Sequence, residues 1–543
     1  MSKVAQYLQE HLIGEVMTSP DAREYFSTDA SIFRLVPQII VYPRTENDVR
    51  KTVRFSWQMA ERGRNIPVTA RGSGTDQTGS ALGSGIMLVF PAHMNKILTL
   101  DSNKAVVTVQ PGLNYGKLQQ TLLTHGQFLP PFPASQEYST IGGAIANNAG
   151  GQKTIKYGVT KDYVRELRLV LANGEVIKTG RLSPREVNRK MGLATFEGEI
   201  YRSVVSLLDD NKELIKKTQP TLPKNTAGYD IWSISGKDGS IDLTSLIVGS
   251  QGTLGIVSEA IIETESHNPV TTLVVGFFDD LDQANQAVQK IRKLAPSSLE
   301  LVDENLLNFI DEHNPNQIKS VVPKPFPRAI IFIEFDDVGR RLQSKKTKKC
   351  KKILNEYAKN LVVEQDIHRQ EDFWKVRHSA AAVTWHANNG KKALPIVEDV
   401  IAPPEKLNEL LEKTYLIFKQ HNIDVAVWGH AGDANIHLQP FFDLTQVGDR
   451  QKIFKIMNDY YQMIVDMGGS TSGEHNDGRL RGPFLKMLYG EEVYNLFVEV
   501  KQIFDPYNIL NPGVKIDVSV QDLQALMRHE YSLKHLYDYM PHT

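Results

Sequence analysis

A chain of 543 residues is too long for one ordinary core and predicts two or three domains. With 41% hydrophobic residues, 23% charged residues and a formal net charge of −1, it reads as a water-soluble globular protein without the electrostatic footprint of a nucleic-acid binder. One cysteine, Cys350, excludes intrachain disulfides and a cysteine-held iron–sulfur cluster in this polypeptide, so redox chemistry would need a bound organic cofactor.

The first twenty residues carry charges throughout and lack an apolar stretch of leader length, and no run approaches the ~18 apolar residues of a membrane span. The expected location is the cytoplasm, with any membrane contact peripheral to the inner face. Residues 38–41 read as a short buried strand. Thr45 can cap a helix, with Asp48 three residues on, that stops at Gly63. Strands follow at 65–70, 85–90 and 105–109, then an amphipathic helix over 113–125 closed by Gly126. Residues 130–158 are rich in proline and glycine and read as a binding loop rather than a linker. Strands resume at 166–171 and 175–179, joined by an Asn173–Gly174 turn. Beyond residue 270 a strand at 272–278, a helix at 281–294, a strand at 328–335 and a basic-faced helix at 341–360 suggest helices on one face of an antiparallel, ferredoxin-like sheet. The last sixty residues look helical, with a break at 505–513.

Strand 65–70 runs into Arg71-Gly72-Ser73-Gly74-Thr75-Asp76-Gln77-Thr78-Gly79, followed by Ser80. This is not a Rossmann turn: Gln77 replaces the third glycine, and the glycine- and serine-rich residues 80–85 cannot start the helix that would face a pyrophosphate. The loop can still form an anion nest, or be a plain turn between strands. It has companions in Ser139-Thr140-Ile141-Gly142-Gly143 with Asn147-Asn148-Ala149-Gly150-Gly151, and in Gly249 to Val257. Small residues let backbone approach a large planar ligand.

Strands at 425–429 and 436–441 flank a turn, with His430 and His437 placed symmetrically about it. A regular hairpin would make them cross-strand neighbours on one face, suited either to a core pair or to a shared cation. Farther on, Glu474-His475 lies in the glycine-flanked run Ser472 to Arg479. Together His430, His437 and Glu474 offer two nitrogens and a carboxylate, a set that leaves positions open on zinc or manganese.

These segments, in this order, resemble the vanillyl-alcohol-oxidase type of flavoprotein, in particular the group of FAD-linked D-2-hydroxy-acid dehydrogenases. The likeness runs from about residue 36 to residue 516. It implies an α+β fold with a helical N-terminal segment over 1–35 and a two-part, PCMH-type FAD-binding domain over 36–269. A ferredoxin-like substrate and metal domain would span 270–480, and a C-terminal helical segment over 481–543 would return to the FAD domain. The same likeness implies that Arg71, Gly72, Ser73, Gly74, Thr75, Gly79 and Ser80 hold the pyrophosphate. Ser139, Thr140, Gly142, Gly143, Asn147, Gly150, Gly158 and Ile256 would line the rest of the FAD, and Asn511 would sit near its ring. Relatives that attach flavin covalently often carry histidine in the first loop; Thr75 there implies dissociable FAD. By resemblance His430, His437 and Glu474 hold the metal, His475 is the base, and Arg377 clamps a substrate carboxylate; read alone, Arg377 has a surface ion pair as its alternative. Ala434 and Asn476 replace glycines usual in the family. Ala381 stands where dicarboxylate-specific relatives have threonine, which argues against 2-hydroxyglutarate. The expected partners are a small D-lactate-like acid and an external electron acceptor: a quinone, an electron-transfer flavoprotein or an iron–sulfur protein. The rival readings are a non-catalytic FAD-binding subunit of a larger complex and an ether-lipid synthase. The basic run 340–352 reads as a solvated helix face or as a docking patch for an acidic electron carrier, and the leucine- and tyrosine-bearing stretch 523–540 as packing on the FAD domain or as contact with a partner subunit or membrane surface.

Overall fold

The computed structural model describes residues 3–379, 387–388 and 391–535. Its first half builds two main sheets and two two-stranded ones. In the mixed sheet, Glu15–Met17 pairs antiparallel with Ile39–Tyr42, which runs parallel to Ile86–Val89, itself parallel to Val68–Arg71. The 1–35 segment, expected to be helical, thus carries a strand between helices Lys3–His11 and Pro20–Tyr25. A three-residue strand is too short to register as a period. Helix Glu46–Ala60 follows the cap foreseen for it, the Thr45 side chain accepting from the Asp48 amide.

The second sheet is antiparallel, in the order Ile97–Asp101, Val106–Val109, Ile256–Glu263, Val164–Val170, Val176–Lys178. Ile256–Glu263 alternates buried and half-buried over its whole length, so one face packs on a core shared with Leu118, Leu122, Ile200 and Val204.

The second half centres on a seven-stranded sheet that is antiparallel at every junction. Its order is Asn360–Glu364, Thr272–Phe278, Ala329–Phe335, Ser298–Asp303, Val427–His430, Asn435–Leu438, Val400–Ile401. Helices cover both faces, not one as expected. Leu281–Arg292 and Arg340–Tyr357 bury Val288, Ile291, Cys350 and Leu354 on one side. Glu304–His313 and Ile367–His378 bury Leu306, Ile310, Phe373 and Val376 on the other. The sequence carried the signal: Thr272–Phe278 and Ala329–Phe335 are buried at every residue, and uninterrupted apolar strands are what two covered faces require. Helix Arg340–Tyr357 buries Gln343, Thr347, Cys350 and Leu354 at helical spacing, so most of its lysines face solvent.

The chain then returns to the first half. Helix Leu485–Phe504 lays Val493, Phe497 and Val500 into the first-half core. Residues 509–511 join the mixed sheet, the Val68 amide donating to the Ile509 carbonyl at 2.7 Å and the Asn511 amide to the Val68 carbonyl at 2.9 Å. Lys501 fixes this return, its buried ammonium donating to the Thr253 and Leu510 carbonyls and to Asp505 at 2.6–2.8 Å. Arg528 ties the next stretch to the carbonyls of Asp29 and Phe33. Residues 536–540 of that stretch lie outside the described ones. Among the described residues no helix is long and apolar enough to cross a membrane.

Candidate active site

The three small-residue segments converge. Gly72 packs on the Thr140 hydroxyl so closely that no Cβ would fit. Asn147 donates to Asp76 at 3.1 Å, Gln251 donates to Asn147 at 2.9 Å, and Asn511 donates to the carbonyls of Ser80 and Gln251 at 2.8 and 2.9 Å. Gly74 and Gly79 both sit at φ +80°, where a side chain would be strained. The Arg71 side chain is buried beneath Gly74 and donates to the carbonyls of Thr28 and Ala81. Its guanidinium thus props the loop from behind, and Ser73, Thr75 and Ser80 lie on the backbone it supports.

Residues 139–147, expected as loop, contain a short helix. Ile141–Asn147 is capped by Thr140, whose hydroxyl accepts from the Gly143 amide, and ends at Asn148 with φ +52°. Its two glycines and short length hid it from composition. Gly142 is pressed onto Pro111, and Gly158, at φ +83°, onto the Asp162 carboxylate. Ile256 is buried where it opens its strand. The hydroxyls of Ser73 and Ser139 are buried with no hydrogen-bond partner. Two unused donors on two converging glycine-rich loops fit a phosphate-bearing cofactor.

The histidine hairpin turns through Ala431–Asp433, with Ala434 left-handed at φ +52°. The turn lies one residue nearer the N-terminus than the symmetric one expected, so His430 lies opposite Asn435, and His437 opposite Trp428. A shift of two residues keeps the face, so the histidines are diagonal neighbours, with ring centroids 5.0 Å apart and perpendicular planes. Glu474 Oε1 lies 3.0 Å from His430 Nε2 and 3.3 Å from His437 Nε2. His475 stacks on His437 at 5.0 Å, and its Nδ1 meets Glu398, which also binds Arg481. Asn476 takes the left-handed conformation at φ +69° and donates to the carbonyls of Asn147 and Gly249, pinning this turn to the small-residue segments.

Residue-pattern reasoning did not single out four further groups here. Glu300 accepts from His430 Nδ1 at 2.8 Å and from Arg377 at 2.9 Å, so Arg377 is held behind His430 by a buried carboxylate. Asp399 accepts from Ser472, Asn435 and the amides of Glu474 and His475, and so shapes the turn. Glu398 anchors His475. Lys224 donates to Glu474 Oε2 at 2.6 Å. No motif announced them, because each is far in sequence from the side chains it binds. Ala381 lies outside the described residues.

Burial alone would raise Glu474, but Lys224 and His430 outweigh it and hold the carboxyl well below the usual range. Burial likewise opposes charge on His475, yet Glu398 and Asp399 push it up to about 10. Five buried carboxylates (Glu300, Glu398, Asp399, Asp433, Glu474) face three buried permanent cations, Lys224, Arg377 and Arg481. His430 and His475, both pushed toward the charged form, make up the difference, and a divalent cation would supply the same two charges in their place. Asp399, His437, Glu474 and His475 bring potential ligand atoms within 4.8 Å of one another. Asp399 is engaged by its four donors and His475 Nδ1 by Glu398. His430 is not one of these four, but its Nε2 and that of His437 both approach Glu474 Oε1, and these three atoms could hold a cation. Glu300 on His430 Nδ1 is the outer partner that such a ligand ordinarily has.

A cavity of about 750 Å3 opens on the seam between the two halves, with Gln152, Trp374 and His378 in its wall, one residue from Arg377. Gly150, two residues before Gln152, is so near Glu474 that a Cβ on it would come within 2.8 Å of Oε2.

Comparison with known proteins gives this arrangement a family. The FAD binding domain profile matches residues 37–180, and the profile of the FAD linked oxidases, C-terminal domain, matches residues 267–514. A D-2-hydroxyglutarate dehydrogenase of Pantoea ananatis is 28% identical over 97% of this chain and 52% of its own length. The chain thus spans about half the length of the first curated relatives it matches. The glycolate oxidase subunit GlcD of Bacillus subtilis is 29% identical over 90% of this chain and 92% of its own. A D-lactate dehydrogenase of Archaeoglobus fulgidus is 26% identical over 92% and 97%. Among solved structures, p-cresol methylhydroxylase superposes with a TM-score of 0.69 at 15% identity, over 95% of this chain and 96% of its own. An alkyldihydroxyacetonephosphate synthase superposes at 0.61 and 17%, over 93% and 84%. These likenesses assign the α+β, PCMH-type fold. With the converging glycine loops in its first half and the histidine–glutamate cluster in its second, the chain carries the FAD binding domain and the C-terminal domain of the FAD linked oxidases.

Proposed function

We propose that the protein oxidises a small, D-lactate-like D-2-hydroxy acid to the 2-oxo acid, using dissociable FAD and a divalent cation held by His430, His437 and Glu474. Electrons pass to an external acceptor, a quinone, an electron-transfer flavoprotein or an iron–sulfur protein. The observation that carries this reading is the meeting of His430 Nε2 and His437 Nε2 on Glu474 Oε1, with His475 stacked alongside. The relatives named as D-2-hydroxyglutarate dehydrogenases, D-lactate dehydrogenases and a glycolate oxidase subunit support the substrate class.

When bound, FAD accepts hydride from the substrate carbon, while zinc or manganese acidifies the hydroxyl and, by its charge, opposes a resident proton on His475. The chain's own groups do the rest. His475 Nδ1 is committed to Glu398, so Nε2 is the atom that takes the hydroxyl proton. Arg377 spends Nε and one Nη on Glu300, and its remaining N–H groups serve a substrate carboxylate. Ser73, Ser139 and the backbone of residues 72–80 hold the cofactor phosphates, Asn147, Gly150 and Gly158 line its path, and Asn511 lies beside its ring. Loss of hydride from carbon and of the proton from oxygen leaves the 2-oxo acid.

A non-catalytic flavin-binding subunit would have no use for a buried cluster of this charge. The likeness to alkyldihydroxyacetonephosphate synthase, at 17% identity, extends to the fold alone. The direct test is a panel of D- and L-2-hydroxy acids with an artificial dye as acceptor. D-lactate-like acids are expected to reduce the dye and their L forms to fail; a flavin-loaded protein inert to every D acid would refute the proposal.

A further inference from the structure

Lys224 lies outside both family-matched spans, on a loop of the first half, 250 residues from the side chain it binds. Its side chain is fully buried, and its ammonium donates to Glu474 Oε2 at 2.6 Å. The other oxygen of the same carboxylate faces His430 and His437. The loop is seated along the turn that carries Glu474. The Thr226 amide donates to the Ser472 carbonyl at 3.2 Å, the Asn476 amide donates to the Thr226 hydroxyl at 3.1 Å, and the Gly228 amide donates to Asp477 at 2.7 Å. Gly150 closes the opposite side, where a Cβ would come within 2.8 Å of Oε2.

We propose that Lys224 is a positioning residue of the cation site. It holds Oε2 of Glu474 so that Oε1 alone is presented to the cation between the two histidines. The inference rests on the cation reading above. Two physical effects of this lysine oppose each other, which makes the proposal decidable. As a bare charge, an ammonium beside a ligand carboxylate repels a divalent cation, so removing it would tighten binding. As a hydrogen-bond donor it fixes the carboxylate's orientation, and outer partners of that kind typically change metal affinity 10–100-fold. A buried carboxylate that loses its partner re-orients toward whatever donor remains. With Oε1 already the oxygen facing both histidines, the geometry favours the second effect.

The test measures zinc and manganese affinity by competition with a chromophoric chelator, on metal-stripped protein that retains FAD. Lys224→Met is expected to bind the cation 10–100-fold more weakly, and Lys224→Arg to recover most of the loss. FAD content and the melting temperature of the metal-stripped protein should stay near wild type, so that a collapsed loop is not the cause. If Lys224→Met misfolds, Lys224→Gln, measured in the same way, takes its place. Affinity equal to or tighter than wild type in the lysine variant overturns the proposal. His437→Ala runs in parallel: if it loses the cation while the lysine variant does not, this inference alone fails. If both bind like wild type, the cation reading itself fails.

Discussion

Glu300 joins His430 to Arg377: one carboxylate oxygen accepts from the imidazole Nδ1 at 2.8 Å, and the other from the guanidinium at 2.8–2.9 Å. The proposed metal ligand and the proposed substrate clamp are therefore oriented by one buried side chain. Glu300→Gln cannot accept on both sides. Cation affinity is expected to fall 10–100-fold and substrate KM to rise, with FAD retained. Chelator competition and steady-state kinetics check this, and an unchanged affinity with an unchanged KM would show that the bridge orients neither group.

Gly150 sits where a methyl group would come within 2.8 Å of Glu474 Oε2 and 3.0 Å of the Thr154 hydroxyl. Glu474 cannot retreat, because Lys224 holds that same oxygen. Gly150→Ala should cut kcat by about 10²-fold, the scale of an ångström-sized misplacement, in a protein that still folds. Wild-type turnover would mean that Glu474 has room to move.

With Thr75 in the first loop, FAD is expected to be held without a covalent bond. Acid precipitation should leave the yellow colour in the supernatant; colour that stays with the pellet contradicts this.

Asp303 gives a pH test remote from the proposed cation site. Burial pushes its carboxyl up to about 7, although the Leu306 amide and Tyr415 hydroxyl donate to it. The folded state keeps a proton that the unfolded chain releases above about pH 4. This contribution is present in full at low pH and is lost as pH rises toward 7, at up to about 1.4 kcal/mol per pH unit. Urea unfolding between pH 4.5 and 7.5 should show the wild type losing stability relative to Asp303→Asn as pH rises. Parallel curves would contradict the assignment.

Much of this architecture was legible in advance, for identifiable reasons. Thr45 and Asp48 marked a helix start because a cap is a local event, and 272–278 read as a strand because seven successive apolar or β-branched residues leave little choice. The same run also held the evidence for two covered faces, which a pattern of strand and helix order alone did not extract. The hairpin register was missed by two residues because Ala434 adopts a left-handed conformation that alanine seldom takes. The face survived because a strand's period is two. For the site, His430, His437, Glu474 and His475 stand in short motifs and could be read. Glu300, Glu398, Asp399 and Lys224 could not, since a buried ion pair between distant residues leaves no local pattern.

The central claim is that this cluster takes the hydroxyl proton of a D-2-hydroxy acid while FAD beside it accepts the hydride. Its most direct test mixes the yellow, metal-loaded protein with D-lactate in the absence of oxygen and follows the flavin absorbance in a stopped-flow cell. D-lactate is expected to bleach the flavin band and L-lactate to leave it unchanged, with a rate about 10²–10⁴-fold lower in His475→Ala, the range for loss of a positioned base. A flavin that stays oxidised with D-lactate and every other D-2-hydroxy acid, or one that His475→Ala reduces at the wild-type rate, would contradict the claim.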